Sequence, residues 1–350
     1  MWFKNLFLYR LNSQWNIDLE EFNQQLNRVK FSACSALQTQ SIGFVPPVKH
    51  KEKEKDKDKD KDKDKDKDKN KENSDNIENL VYEVSTQNNQ QFWLIAVATE
   101  QRLLPASVVK QEIEERSEKI YEEQGYYPSR RAMKELKEQI IAEFLPRAFT
   151  RKKTTYAWFD VKNGWFVIDA ASPSKADELV CVLADALDDF PLKPVYTEKS
   201  AVAVMTECLL AGGIADDNLA ETFTLDRDCE LKSPTEERQT VRYVRHPLEG
   251  EEIAAEIKSH LKSGKLPTRL AFTFDDRISF VLTDKAEIKR IVYLDSILAE
   301  SEQNADTATD EMERFNADFS LMSLELSKFI PSLMDLLGGE KVKAKNKNKK

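Results

Sequence analysis

Cysteine and histidine are scarce in this 350-residue chain, which has four of the first and three of the second. The cysteines are widely spaced, without a Cys-x-x-Cys pair or a neighbouring histidine: Cys34, Cys181, Cys208 and Cys229. Zinc sites and disulfide frameworks need clustered or regularly spaced ligands. We therefore expect no metal and no disulfide, and interpret the thiols as reduced, buried side chains of a cytoplasmic protein.

Long apolar runs are also missing. FWLIAVA (92–98) and WFVIDAA (165–171) are far shorter than the roughly 20 residues that cross a bilayer. The opening MWFKNLFLYRL lacks the sustained apolar segment and the small-residue cleavage site of a signal peptide. We interpret it as a strand, and predict a cytoplasmic protein without a membrane partner.

The motifs of several common enzyme classes are absent. The sequence has no GxxxxGK[ST] phosphate loop and no GxGxxG, GxSxG or HExxH. Acid pairs such as Asp188-Asp189 and Asp275-Asp276 leave a metal site open, although such pairs are also common on solvated turns. The sequence predicts no enzyme and no cofactor, with a hydrolase as an alternative.

Charge is unevenly distributed along the chain. The formal net charge is -9, but residues 49–72 carry 12 lysines and 10 acids, and residues 341–350 carry six lysines and no acid. The rest of the chain therefore has a formal net charge of -17. Most of such a surface repels polyanions, so a site for nucleic acid has to be local and surrounded by basic residues.

One low-complexity segment dominates the charged residues. In KEKEKDKDKDKDKDKDKDKNKEN the strict alternation gives positions i and i+4 the same sign, which disfavours a helix. We predict a solvated, disordered Lys/Asp-rich insertion at 49–75 and a disordered Lys-rich tail at 341–350. An electrostatic tether is the alternative for the insertion.

The remaining sequence alternates irregularly between short apolar runs and amphipathic segments. Hairpins are predicted from the paired runs 80–85 with 91–99, 154–161 with 165–171, and 265–274 with 277–284. Helices are predicted over 18–29, 106–123, 129–144, 174–187, 203–211, 249–264 and 310–337. GFVPP (43–47) is expected to stop regular structure. Regular βα units are missing, so the predicted class is α+β, with antiparallel hairpins or sheets and helices.

Positive charge gathers between residues 128 and 153. Three acids stand there against eight cations: Arg130, Arg131, Lys134, Lys137, Arg147, Arg151, Lys152 and Lys153. Cations that neutralise phosphates release counterions, which gives salt-sensitive affinity for any sequence. Phe149 stands among them, where a ring can stack on a base. The alternative is that Phe149 is a core residue at a helix exit and that the cations only solvate the surface.

Two further basic groups follow. One lies in an extended, finger-like arm at about 236–250 and the other around a predicted helix: Arg238, Arg242, Arg245 and His246, then Lys258, Lys262, Lys265 and Arg269. Arg242 and Arg245 would face opposite sides of a flat strand, so a common ligand requires a bend. Each group alone fits a solvated surface. Three such groups in one acidic chain favour a polyanionic partner.

Several segments together carry a family resemblance. They are MWFKNLFLYRL, GFVPP, LLPASVVKQEIE (103–114), FLPRAFTR, the hairpin around Asn163-Gly164, EIKSHLKSGK, TRLAF and FNADFSLMSLELSKFI. Their order and spacing resemble the recombination-associated protein RdgC family over 1–48 and 76–340. The charged run takes the place of a shorter loop.

The resemblance implies a fold of several lobes and a function. Members of that family bind DNA without marked sequence preference, associate with the bacterial nucleoid and restrain recombination by the RecA recombinase. They form a ring-shaped homodimer whose basic central hole fits duplex DNA. The implied partners are therefore double-stranded DNA and a second copy, with single-stranded DNA and direct contact with RecA left open. A protein-interaction adaptor of the recombination machinery, with incidental DNA contact, is the alternative.

The resemblance also implies site residues. The family's DNA-contacting pattern falls on Arg147 and Phe149 in LPRAF, Arg245 and His246 in the arm, and Lys265 in SGK, with Arg130 or Arg131 at a further basic position. The basic groups add Arg151, Lys152 and Arg242. Two departures stand out: the family has lysine–glutamine where this chain has Arg245-His246, and about one extra helical turn follows Leu248 here.

Overall fold

The computed structural model describes residues 1–12, 15–48, 77–86, 89–234, 239–308 and 310–341. The predicted disordered insertion at 49–75 and all of the predicted tail except Lys341 lie outside these residues, as does Arg238.

An antiparallel sheet forms the centre of the structure. Its strands are β1 (Leu6–Leu11), β2 (Gln40–Val45), β3 (Val81–Ser85), β4 (Gln91–Leu103), β5 (Phe149–Asp160), β6 (Trp165–Asp169), β7 (Leu192–Pro194), β8 (Phe223–Lys232), β9 (Thr240–Tyr243), β10 (Leu266–Phe274), β11 (Ile278–Thr283) and β12 (Ile288–Tyr293). Hydrogen bonds order them β2-β4-β5-β6-β1-β12-β11-β10-β8-β9, with β3 beside β4 and β7 beside β1. Together with the helices, this sheet confirms the α+β class.

Helices lie before, between and after the strands. They are α1 (Leu19–Leu26), α2 (Ala106–Gln124), α3 (Arg130–Phe144), α4 (Pro173–Ala186), α5 (Ala201–Ala211), α6 (Asp217–Ala220), α7 (Glu251–Lys262), α8 (Asp295–Thr307) and α9 (Glu311–Leu336). The side chains of Asp18, Ser129 and Ser200 accept backbone N–H groups at the starts of α1, α3 and α5. None of the described helices is both long and apolar enough to cross a membrane.

GFVPP ends regular structure as expected, because β2 ends at Val45 and the two prolines follow it. Two other expectations from the sequence are wrong in detail. Strand β5 begins at Phe149 instead of Thr154, since β4 extends far enough to pair with the basic segment. Buried thiols are correct for Cys208 and Cys229 but not for Cys181, which is exposed.

Alternation along β4 separates two cores. Phe92 and Leu94 belong to the core on the α9 side, whereas Trp93, Ile95 and Val97 belong to the core on the side of α1 and α4. On one edge of β4, β3 pairs with Gln91–Ile95 and β2 with Ala96–Gln101, so these two strands lie end to end. Strand β5 occupies the other edge.

Helix α9 joins the two halves of the sheet. In the first half, Trp158 on β5 donates its indole N–H to Ser323 of α9 at 3.0 Å. In the second half, the ring of Phe329 lies 4.9 Å from that of Phe280 and 5.4 Å from that of Phe274. Helices α5, α7 and α9 contribute to the same core as β8, β10 and β11, so they cover one face of the second half.

We expect Phe329→Ala to lower the free energy of unfolding by about 3–5 kcal/mol, because it leaves a cavity where the side chain is fully buried. Urea unfolding followed by circular dichroism measures this. Phe149→Ala is the matched control: its ring is 85% exposed, so its effect should stay within about 0.5 kcal/mol. Equal losses in the two variants would contradict the assignment of the core.

Candidate nucleic-acid interface

The last part of the basic group at residues 128–153 lies on a two-stranded ribbon, which is formed by the end of β4 and the start of β5. The two strands pair without a break from Phe92 opposite Asp160 to Leu103 opposite Phe149. Phe149 to Thr154 are exposed, so the last pairs extend past the buried core. We call this end, Thr99–Leu103 with Phe149–Lys153, the basic ribbon. Helices α2 and α3 connect its two strands.

Phe149 lies at the tip of the basic ribbon. Its side chain is 85% exposed, and Leu103, directly opposite, is 46% exposed. The alternative that Phe149 is a core residue at a helix exit is therefore wrong. Leu145 takes the buried position at the end of α3, and the chain is extended again by Ala148.

A single arginine fixes the turn that leads into the ribbon. The guanidinium of Arg102 donates to the backbone carbonyls of Leu145 at 3.0 Å, Pro146 at 3.2 Å and Ala148 at 3.3 Å. These bonds hold the short 3₁₀ turn Leu145–Arg147, which leaves the side chain of Arg147 exposed beside the ribbon. The guanidinium of Arg102 is thus occupied by backbone hydrogen bonds, while the exposed side chain of Arg147 can contact a ligand.

One face of the ribbon forms an open basic groove. Because side chains alternate along a strand, Phe149, Arg151 and Lys153 share this face. Arg151 and Lys153 line a cavity of about 330 Å³ that continues to Ala171 and to Lys175 of α4. The described part of the chain offers Arg151 and Lys153 no ion-pair partner. We call this cavity with Phe149 at its end the Phe149 groove.

An acid also lines the Phe149 groove. The carboxylate of Asp169 accepts the backbone N–H groups of Lys4 at 3.2 Å and Asn5 at 2.9 Å. Burial raises its pKa above the usual value, although these bonds oppose the rise. Asp169 is therefore held by the backbone just before β1, whereas Arg151 and Lys153 are exposed and Lys175 pairs with Glu178 at 2.6 Å.

On the other face of the ribbon, Lys152 is exposed but contacts an aromatic ring of the protein itself. Lys152 places its ammonium 3.9 Å from the centroid of the Phe31 ring, a cation–π contact. Glu100, directly opposite Lys152, accepts the backbone N–H of Cys34 at 2.7 Å. That bond and the charge of Lys152 help to lower the pKa of Glu100. The structure thus separates Lys152 from Phe149 and Arg151, its neighbours in the sequence.

The cations of α3 differ from those of the ribbon. Arg131, at 91% side-chain exposure, pairs with Glu135 at 3.1 Å, and Lys134 lies 3.9 Å from Glu138. Such i,i+4 pairs are typical of a solvated helix surface. Arg130 is exposed at the start of the helix. Glutamates therefore balance part of the positive charge on α3, and the unpaired positive charge of this segment lies mainly on the ribbon.

In the predicted arm, Arg242 is anchored to a buried acid. The Arg242 guanidinium donates to Glu230 at 2.6 Å, and Lys232 and Thr268 contact the same carboxylate at 2.9 Å each. Glu230 is only 4% exposed. Burial raises its pKa, but the hydrogen bonds outweigh this and lower the pKa to about 2.

The bend required between Arg242 and Arg245 is present. Strand β9 ends at Tyr243, and Arg245 has a left-handed φ of 60°, while its N–H donates to Asp228 at 3.0 Å. The N–H of His246 donates to the carbonyl of Arg227 at 3.1 Å. Both side chains are exposed. They project next to the end of β9, which is the last strand in the sheet order.

Lys265 lies at the carboxyl end of α7. The N–H groups of Gly264 and Lys265 donate to the carbonyls of Leu261 and His260, and Gly264 has φ of 89°. This is a Schellman ending, which glycine accommodates without strain. The Lys265 ammonium lies 3.3 Å from Nδ1 of His260 and is half-buried. Helix α7 packs in the core on the α9 side, unlike the Phe149 groove.

Besides Arg130 and Arg131 on α3 and Lys152 over the Phe31 ring, the predicted residues form three separate groups. Arg147, Phe149 and Arg151 meet at the basic ribbon, Arg242, Arg245 and His246 lie at the far edge of the sheet, and Lys265 lies at the end of α7. Two cations of the groove are not among the predicted contacts: Lys153, which was counted only as part of the basic group, and Lys175. Period-two spacing from Phe149 would have selected Lys153, whereas Lys175 reaches the groove only through the packing of α4.

We expect the Glu230 cluster to stabilise the fold fully above about pH 4.5 and to lose this contribution as the pH falls toward about 2, because in this range the unfolded chain binds a proton that the folded carboxylate does not. Glu230→Gln should cost about 2 kcal/mol at neutral pH and remove this part of the acid dependence. Urea unfolding over a pH series measures both. The exposed Glu249→Gln is the control, and an unchanged acid dependence in the Glu230 variant would contradict the assignment.

Among the described residues, no group of three or more histidine, cysteine, aspartate or glutamate side chains is placed to hold a metal ion. A family model described as "Putative exonuclease, RdgC" matches residues 1–68 and 78–340. Relatives of this chain are called "Recombination-associated protein RdgC", a name that mentions no enzymatic activity.

The similarity to these relatives extends over nearly the whole chain. The protein of that name from Dechloromonas aromatica (strain RCB) is 49% identical over 345 residues, covering 99% of this chain and 100% of the relative. Those from Janthinobacterium sp. (strain Marseille) and Cupriavidus pinatubonensis (strain JMP 134 / LMG 1197) are each 40% identical over 341 residues, covering 97% of this chain and 99% of the relative. The family resemblance is thus confirmed: the chain belongs to the RdgC family of recombination-associated proteins.

Proposed function

We propose that this chain is a sequence-nonspecific DNA-binding protein of the bacterial nucleoid that limits RecA-mediated recombination. It acts as a homodimer that encircles duplex DNA, and it works by occupancy without covalent chemistry. The observation that carries the proposal is the Phe149 groove, where an exposed ring and two cations without ion-pair partners share one face of the basic ribbon. Membership in a family named for recombination supports the cellular role.

The chemistry of the groove suits a nucleic-acid backbone. Arg151 and Lys153 neutralise phosphates of any sequence, which positions the protein but does not read bases. Phe149 and Leu103 add an apolar tip, suited to packing against a sugar or an unstacked base. The side chain of Arg147 extends the positive surface at the entry to β5. Single-stranded DNA, whose bases are free to stack, is a second ligand of the same face.

The acidic remainder of the molecule supports a local site. Outside the run at 49–72 and the tail at 341–350, the chain carries -17, so long-range repulsion opposes DNA docking on most of the surface. In an encircling dimer, the basic faces line the hole and the carboxylates lie outside. Arg245, His246 and Lys265 are then further contacts around the duplex.

We expect Arg151→Gln to weaken binding to random-sequence duplexes and to reduce the slope of log affinity against log salt by about one, the loss of one phosphate contact. Lys152→Gln removes the same charge from the next residue, but from the opposite face, where the ammonium lies over the Phe31 ring, and should leave the slope nearly unchanged. Fluorescence anisotropy over a salt series measures both. Equal slopes in the two variants would contradict binding at the Phe149 groove.

We expect the purified protein to run at twice the chain mass of 40.3 kDa and to be trapped topologically on closed duplex circles. A ring cannot leave a circle by sliding, so protein on circular DNA should resist a salt wash that releases it from the same DNA after linearisation. Co-sedimentation before and after a single cut measures retention. Equal release from the two forms would argue against encircling, though not against binding in the groove.

A protein-interaction adaptor is the second candidate, favoured by an exposed aromatic cluster. At the turn between α2 and α3, Tyr126 and Tyr127 are 62% and 61% exposed, and the Tyr127 ring stacks 4.5 Å from that of Tyr121. Tyrosine is enriched at protein interfaces. The Arg151 variant separates the candidates, since an adaptor keeps its effect on recombination when DNA affinity falls.

A further inference from the structure

The second half of the sheet has an exposed face opposite α5, α7 and α9. Register places Arg242 of β9 and Arg269 of β10 on either side of Glu230. With Arg290 of β12, these arginines line a cavity of about 310 Å³ whose wall also includes Val281 of β11. We call this cavity the arginine pocket.

Positive charge is left over in the arginine pocket. Glu230 is already paired with Lys232 and Arg242, at 2.9 and 2.6 Å. Arg269 and Arg290 are exposed, and neither has an ion-pair partner within the part of the chain that the structure describes. Asp228, the other acid of the wall, accepts the backbone N–H of Arg245. Two guanidinium groups thus remain free for an external anion.

The backbone of Arg290 is unusual for a residue inside a strand. Its φ is 53°, and its N–H donates to the side chain of Asn5 at 3.3 Å. The register between β11 and β12 shifts close to this point. Such irregularities redirect a side chain, and left-handed non-glycine residues are often found at functional sites. Here the irregular position carries an exposed arginine.

The register shows that the arginine pocket and the Phe149 groove lie on the same side of the sheet. Counting in twos from Phe149 along β5 leads to Ala157, which is opposite Ile168 of β6. Ile168 is opposite Phe7 of β1. Lys289 of β12 holds its ammonium 4.1 Å from the centroid of the Phe7 ring, on the same side again.

Lys289 also links the two cavities by direct contact. Its ammonium donates to the carbonyl of Ala171 at 3.3 Å, and Ala171 lines the Phe149 groove. Lys289 is directly opposite Val281, which lines the arginine pocket. Lys289 is itself paired with Glu287 at 3.4 Å and only 17% exposed, so it connects the two cavities by contact and adds little positive surface between them.

We propose that the arginine pocket binds backbone phosphates of DNA, as the far end of one track that begins at the Phe149 groove on the same side of the sheet. This rests on the proposed DNA binding and adds Arg269 and Arg290, which are not among the predicted contacts. Seven strand spacings separate β5 from β9, a path of roughly 34 Å along the sheet. One chain then covers about one helical turn of duplex DNA.

The test uses charge reversal with a matched control on the opposite side of the sheet. Arg269→Glu and Arg290→Glu are compared with Arg314→Glu, an exposed arginine at the start of α9. Affinity for random-sequence duplexes is measured by anisotropy over a salt series, and folding of each variant is checked by thermal melting. We expect each pocket variant to lower affinity several-fold and to reduce the salt slope by about 0.9 per lost phosphate, while the control leaves the slope unchanged.

The failures of the two proposals can be distinguished. If the wild-type protein does not bind DNA in a salt-dependent way, the proposed function fails. If Arg151→Gln reduces the slope but folded Arg269→Glu and Arg290→Glu do not, DNA binding stands and the track is overturned. Inorganic phosphate is the remaining probe. Phosphate could stabilise the wild-type protein but not the pocket variants, while the variants keep the DNA affinity of the wild type. This result would identify a site for free anions and would also overturn the track.

Discussion

The alternation of side chains along β-strands determines how this molecule distributes its charge. The basic ribbon shows this most directly, because Arg151 and Lys152 are neighbours in the chain but lie on opposite faces, one in an open groove and the other over the Phe31 ring. The same alternation gives the sheet its two cores. A register slip of one residue would exchange these faces, so the long unbroken pairing of β4 with β5 underlies the groove.

Ion pairing then decides which cations remain available. Arg131 and Lys134 of α3 have acids one turn away, and Arg242 is held by Glu230. Arg151, Lys153, Arg269 and Arg290 have no such partner among the described residues. An unpaired, exposed cation keeps its attraction for an external phosphate, while a paired one has already spent part of it. Net charge alone therefore says little about where this acidic protein meets a polyanion.

Much of the fold followed from the sequence, because strong local signals coincide with the observed elements. Asn163-Gly164 marks the turn between β5 and β6, and apolar periodicity placed α2, α3, α4 and α9 to within a few residues. Strands β8 and β12 were not predicted, since charged residues such as Glu230 and Arg290 interrupt their patterns. Phe149 is exposed because Leu145 fills the core position, and this choice depends on tertiary packing that the local sequence does not show. Lys175 and Lys289 reach the basic surface only through packing between distant elements.

The end-to-end arrangement of β2 and β3 has a consequence for how the chain varies in length. Val45 and Val81 pair with Ala96 and Ile95, two consecutive residues of β4, so the exit and re-entry points of the intervening segment are fixed side by side. Closing a loop between neighbouring anchors costs only about 0.6 kcal/mol more for each doubling of its length. The sheet can therefore accept a connection of very different length between these two anchors at little cost in free energy.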